Sequence, residues 1–197
     1  MSTTMKHVIA LSLMFGLLGC AGREFTRPDM ATLRNGVTTY AQVTERFGPP
    51  YAEGSLVRND KTVRTANYVH AAAGGKPARE GIVPTRAMAF YFYNNVLVGH
   101  EFLSSWAEDS TEFDETDRRK IIRGTTTEAE VVQLLGKPSG YEIYPMIEST
   151  SGKAAVYAYS ELESSVLGRK AYRKVLVVTF DGAGVVTALD YTSVGSK

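Results

Sequence analysis

One cysteine in 197 residues, Cys20, excludes a disulfide within the chain. Histidine is nearly as scarce. Only His70 and His100 lie beyond residue 19, and neither has another histidine or a cysteine at metal-ligand spacing. No Gly-x-Ser-x-Gly elbow occurs, and Gly48 and Gly136 stand at helix ends, not at the strand-to-helix junctions that cradle phosphate. The expectation is a protein with no catalytic residues, no metal and no cofactor. Charge of one sign is also lacking. The chain carries 22 Lys and Arg against 21 Asp and Glu. Removing residues 1–19 takes away Lys6 and no acid, leaving the two signs equal. Such a chain has no global field to draw it to nucleic acid. A long apolar run is missing too: residues 8–18, broken by Ser12 and Gly16, are too few to span a bilayer.

That short apolar run follows Lys6 and His7 and ends in Leu17-Leu18-Gly19-Cys20. Basic start, apolar middle and small-residue end make residues 1–19 a removable signal peptide, cut between Gly19 and Cys20. The Leu-Leu-Gly-Cys ending resembles the bacterial lipobox, which implies a diacylated Cys20 whose new amine is acylated as well. Several acyl chains, each contributing about 0.8 kcal/mol per buried CH₂, would hold the chain on a membrane where one would not. Ala21 rather than aspartate after the cysteine implies, by the same resemblance, the outer membrane, and the expected orientation there is towards the periplasm. The plainer alternative is an ordinary secretory signal with an incidental cysteine.

The rest of the chain says one thing twice. Residues 36–50 reappear 88 positions later as residues 124–138, with seven of fifteen positions identical. Thr39 with Gln42, and Thr127 with Glu130, have capping-box spacing. Val43 and Phe47, and Val131 and Leu135, stand one turn apart on one helical face. Gly48 and Gly136 then stop each helix, with Pro50 and Pro138 just beyond. A helix of about ten residues is marginal alone and must pack its stripe on something.

Downstream of each copy lie strands. Residues 87–93 alternate, Asn94-Asn95 is a turn, and 96–103 return. Residues 174–180 are β-branched, 181–184 turn, and 185–192 return. Residues 62–72 and 154–160 precede each hairpin, and short helical stretches near 30–35 and 115–123 would complete a helix–turn–helix. The expected class is α+β: two tandem repeats, each a helix–turn–helix on a three- to four-stranded antiparallel sheet. The organisation read from this is a signal peptide at 1–19, a polar tether at 20–30, repeat 1 at 31–106, a connector at 107–120 and repeat 2 at 121–197. Units this small are expected to share or abut a core.

Three polar stretches remain. Residues 71–85 form a long loop whose Lys76, Arg79 and Arg86 make it basic, read as a hairpin tip with lipid headgroups or an acidic partner as the sharper alternative. Residues 108–117 hold six carboxylates in ten positions but lack the glycine and spacing of a calcium loop, so they read as a connector. Residues 168–174 are a charged strand edge or an anionic-lipid contact. Alternation puts Met88, Phe90 and Phe92 on the core side of their strand and Ala87, Ala89, Tyr91 and Tyr93 on the other. Small residues beside tyrosines suit a protein-binding surface, extended by Tyr157 and Tyr159. Half-buried tyrosines with wet hydroxyls are the bland equivalent.

The Gly-x-Thr-Thr-x-Ala-x-Val pattern followed by Phe/Leu-Gly-x-Pro, together with the lipobox, resembles the BamE (SmpA/OmlA) family of outer-membrane lipoproteins, with two units where that family has one. It is also similar to the tandem repeats of the β-lactamase-inhibitory-protein fold. The resemblance implies an anchored, non-catalytic protein-binding scaffold in outer-membrane assembly or maintenance. Its partners would be the membrane, through acyl chains on Cys20, and envelope proteins such as the β-barrel assembly machinery. The alternative is an inhibitor-like module that binds one envelope enzyme.

Overall fold

The duplicated segment folds the same way in both places. The computed structural model describes residues 24–29, 32–72, 75–165 and 168–195; Gly19 and Cys20 lie outside them. Helix α1 spans Tyr40–Phe47 and helix α2 spans Glu128–Leu135, each opening on a complete capping box, Thr39 with Gln42 and Thr127 with Glu130. Each closes on a glycine at positive φ, 78° at Gly48 and 79° at Gly136, a conformation that a Cβ disfavours. A buried tyrosine hydroxyl from the second strand after each helix donates to that glycine's carbonyl. Tyr68 reaches Gly48 at 2.9 Å and Tyr157 reaches Gly136 at 3.1 Å.

Four strands follow each helix: β1 Ala52–Arg58, β2 Lys61–Ala71, β3 Thr85–Tyr93 and β4 Val96–Ser104, then β5 Gly140–Glu142, β6 Lys153–Ser165, β7 Gly168–Phe180 and β8 Val186–Gly195. They pair in chain order as one antiparallel sheet of eight. The tight turns are those the residues demand: Asn94 and Asn95 both take positive φ, as do Asn59 and Asp60.

Two expectations are overturned here. The sheets are not two small ones, because β4 pairs with β5 through Gly99↔Glu142, His100↔Tyr141 and Glu101↔Gly140. Gly140 permits that join, since a Cβ there would strike the carbonyl of His100. Nor is there a helix–turn–helix in either half. Residues 115–120 form only a 3₁₀ segment with no buried residue, and 32–35 only a bend and turn. Each of the two expected stretches buries one apolar side chain, Leu33 in the first half and Ile121 in the second, short of the stripe that holds a second α-helix.

Both helices lie on one face. Val43 and Leu33 pack with Tyr68, Met88, Phe90, Phe92 and Phe102 in the first half. Val131 and Leu135 pack with Tyr157, Leu176, Val178 and Phe180 in the second. The other face carries no helix.

Candidate functional site

Residues from opposite ends of the sheet, Leu56 and Arg58 of β1 and Ala188 and Asp190 of β8, line a single groove of about 750 Å³ on the helix-free face. An antiparallel sheet brings its first and last strands that close only by curling towards the face they share. The loop 143–152, which includes a cis Tyr144–Pro145 bond, forms a rim with Met146, Ile147, Glu148 and Ser149. Asn59, in the β1–β2 turn, donates to the Pro145 carbonyl at 2.9 Å and ties that rim to the first half.

The groove floor holds Tyr91, Glu101 and Glu142 around Gly99. Tyr91 of β3 stands opposite Gly99 of β4, and Glu142 of β5 stands opposite it on the other side. A Cβ on Gly99 would lie 3.2 Å from the tyrosine ring and 3.1 Å from the Glu142 chain, so both side chains close over the bare backbone. Glu101 is buried and bound to Arg173 of β7 at 2.6 Å. Glu142 has no ion-pair partner among the described residues. Burial first, and the neighbouring Glu101 second, raise its carboxyl to about 7, with Arg58 pulling the other way. Burial and the same two carboxylates push the Tyr91 phenol up as well.

This arrangement puts a carboxyl that titrates near neutral pH, Glu142, beside a second carboxylate, Glu101, the raw material of acid–base chemistry. Glu101 is already committed to Arg173, however, and no histidine lines the groove. Among the described residues, no group of three His, Cys, Asp or Glu side chains is placed to hold a metal. What the groove provides is a broad concave floor with an aromatic ring, partly desolvated charge and an apolar wall of Val156, Val175 and Val177. That is the composition of a recognition surface.

Of the tyrosines proposed from sequence, Tyr91 is on the groove floor. Tyr93 is half-buried at the far end of β3, outside the groove lining. Tyr157 and Tyr159 do not extend that face. They are 2% and 0% exposed, on the helix side of β6, and their hydroxyls are bonded to the Gly136 carbonyl and to Glu161. Both faces of β6 are buried, so alternation alone could not say which side its tyrosines take.

The charged stretches resolve into pairs. Arg86 is buried, bonded to Glu108 and to Asp109 at 2.8 Å, and lies over Trp106. It is therefore not part of a basic loop. The loop itself crosses to the second half, where Arg79 binds Glu161 at 2.6 Å and Val83 donates to the Leu162 carbonyl. Sequence reasoning did not place Glu101 or Glu142 in a site, and it read Arg173 only as part of the charged stretch 168–174. The only signal for them was outward register beside Tyr91, and it becomes readable once β4 and β5 are known to pair.

No family model matches the chain, and no curated protein matches it. A crystal structure from Streptococcus mutans, of a protein provisionally described as a beta-lactamase inhibitor, is similar at a TM-score of 0.43 and 13% identity, covering 83% of this chain and 92% of that one. Likeness at that level carries no argument about function. The resemblance to BamE stays with the motif residues, which in the structure are caps and core. Among the described residues no helix is long and apolar enough to cross a membrane.

Proposed function

We propose that this protein is an outer-membrane lipoprotein, anchored through Cys20 and facing the periplasm, that binds another envelope protein in the groove of its curled sheet and catalyses no reaction. The groove carries the reading: a concave floor assembled from both halves, with Tyr91 seated over Gly99 and the Glu101–Arg173 pair beside it. Aromatic rings and partly desolvated charge at the centre of a concave surface are where binding energy concentrates. The anchor rests on Leu17-Leu18-Gly19-Cys20, and a setting in outer-membrane assembly or maintenance rests on the motif resemblance to BamE. The second reading, an inhibitor-like module that clamps one envelope enzyme, is favoured by the same concavity.

A photo-crosslinking residue in place of Leu56 or Asp190, at opposite walls of the groove, tests this in intact cells. Adducts with barrel-assembly subunits support the first setting, and one adduct with a single envelope enzyme supports the second. Adducts formed only from positions on the helix side, such as Glu45 of α1, would overturn the groove as the binding surface.

A further inference from the structure

The described part of the tether is packed on the body. Phe25 meets Phe102 edge-on at 6.3 Å and joins the core of the first half. Two residues on, the Arg27 guanidinium donates to the Pro138 carbonyl just past α2 and lies over Phe102 at 5.7 Å. Pro28, the next residue, is buried. The segment therefore runs on the helix side of the sheet, from the C-terminal end of α1 to that of α2. This has a geometric consequence for a chain held at Cys20. Three residues lie between Cys20 and Glu24, and the four steps from one to the other, at ~3.5 Å each, reach no farther than about 14 Å.

The surface where the chain emerges is not neutral ground. Glu24, Phe25 and Thr26 border a groove of about 400 Å³ whose other walls include Arg46, Phe47, Pro49 and Tyr51. Tyr51 is 65% exposed, among the most exposed large apolar side chains of the described residues. Aromatic rings with a polar tip suit the headgroup layer of a bilayer, and Arg46 supplies a cation for phosphate. The sheet's binding groove opens on the opposite face.

We infer that the α1 end of the molecule, around Tyr51, Phe47 and Arg46, rests on the phospholipid surface, which turns the groove at Tyr91 away from the membrane and towards the periplasm. This rests on the lipid-anchor reading above. The docked tether fixes the orientation. A free linker of ten residues would allow any face to touch the lipid, whereas one pinned at Phe25 and Arg27 leaves too little slack for the far side to reach it.

The test uses the full-length lipidated protein in phosphatidylethanolamine–phosphatidylglycerol vesicles that contain nitroxide-labelled lipids. Single cysteines replace Tyr51 or Asp190, both exposed, and carry an environment-sensitive fluorophore. Strong quenching and a blue shift at position 51, with little of either at 190, is the expected result. Equal quenching at the two positions, or stronger quenching at 190, overturns the orientation. Intact mass of the same samples separates the two readings. An acylated Cys20 with equal quenching sinks the orientation alone, whereas an unmodified Cys20 sinks the anchor and the orientation with it.

Discussion

Arg86 and Lys174 occupy the same position in the two halves, 88 residues apart, and each is a cation 1% exposed on the helix side of its strand. Each faces the segment that joins the halves. Arg86 binds Glu108 and Asp109; Lys174 binds Glu115 at 2.6 Å and the Phe113 carbonyl. The acidic connector and the basic first half of β7 are therefore partners in part, and what they pin is the crossing from one half to the other.

Removing either cation leaves polar groups without a partner, and that cost outweighs the modest worth of the pair itself. Arg86→Ala is expected to destabilise by about 3 kcal/mol, because Asp109 loses its cation and Trp106 its stacking partner. Lys174→Met should cost about 2 kcal/mol, chiefly through the orphaned Phe113 carbonyl. Urea unfolding followed by Trp106 emission measures both. A loss under half of these values for each variant would show that the pairs are incidental.

The capping boxes give a second expectation. Thr39→Ala and Thr127→Ala each remove the side-chain acceptor for a first-turn amide, Gln42 N–H and Glu130 N–H respectively. Each should cost about 1 kcal/mol. The two sites share no partner, so the double variant should lose about 2 kcal/mol, the sum of the singles. Equal and additive losses by chemical denaturation would confirm that the helices do the same work in each half. A neutral Thr127→Ala would deny it.

These local features were legible because their causes are local. Thr39, Gln42, Gly48 and Pro50 act within a dozen residues of one another, and so do Asn94 and Asn95. Met88, Phe90 and Phe92 faced the core as their alternation required. The union of the sheets was not legible, since it depends on a three-residue strand, Gly140–Glu142, too short to leave a pattern. Once β4 and β5 pair, Glu101 and Glu142 become neighbours although 41 positions separate them in the sequence. The helix–turn–helix rested on two short stretches, near 30–35 and 115–123, read as helical without a full apolar stripe, and that is where it failed.

The join itself can be probed at Gly140. Gly140→Ala would drive a methyl into the His100 carbonyl and disrupt β4–β5 pairing, so a loss of at least about 3 kcal/mol, or failure to fold, is expected. Gly182→Ala is the control. Its nearest neighbour would be the Ser151 carbonyl at 3.8 Å, ordinary contact. Wild-type stability for Gly140→Ala would mean that the halves fold without their shared strand pair.

Stability should also peak between two titrations of opposite sign. Burial lowers His100 from 6.5 to about 4. From pH 6.5 down to 4 the unfolded chain takes up a proton that the folded chain refuses, and stability falls as pH drops. Glu142, raised from 4.5 to about 7, does the reverse. From pH 4.5 up to 7 the folded chain keeps a proton that the unfolded chain has lost, so stability falls as pH rises. Each shift corresponds to at most about 3 kcal/mol. Glu142→Gln should therefore flatten the alkaline side and exceed wild type at pH 8, while His100→Gln should flatten the acid side. Parallel pH profiles for all three proteins would refute the assignment.

The tyrosines separate binding from folding. Tyr91→Ala empties the groove floor at Gly99 without breaking a hydrogen bond that the described residues show, so capture by the folded variant should fall at least tenfold, about 1.4 kcal/mol, in addition to the stability lost with its packing. Tyr157→Phe does the opposite. It removes the hydroxyl that holds the Gly136 carbonyl at the end of α2, which should cost about 1 kcal/mol of stability and leave capture unchanged. Affinity for the crosslinked partner and chemical denaturation, measured on both variants, decide the matter. If Tyr157→Phe weakens binding as much as Tyr91→Ala does, the partner reads the helix side of the sheet, and the groove is not where it docks.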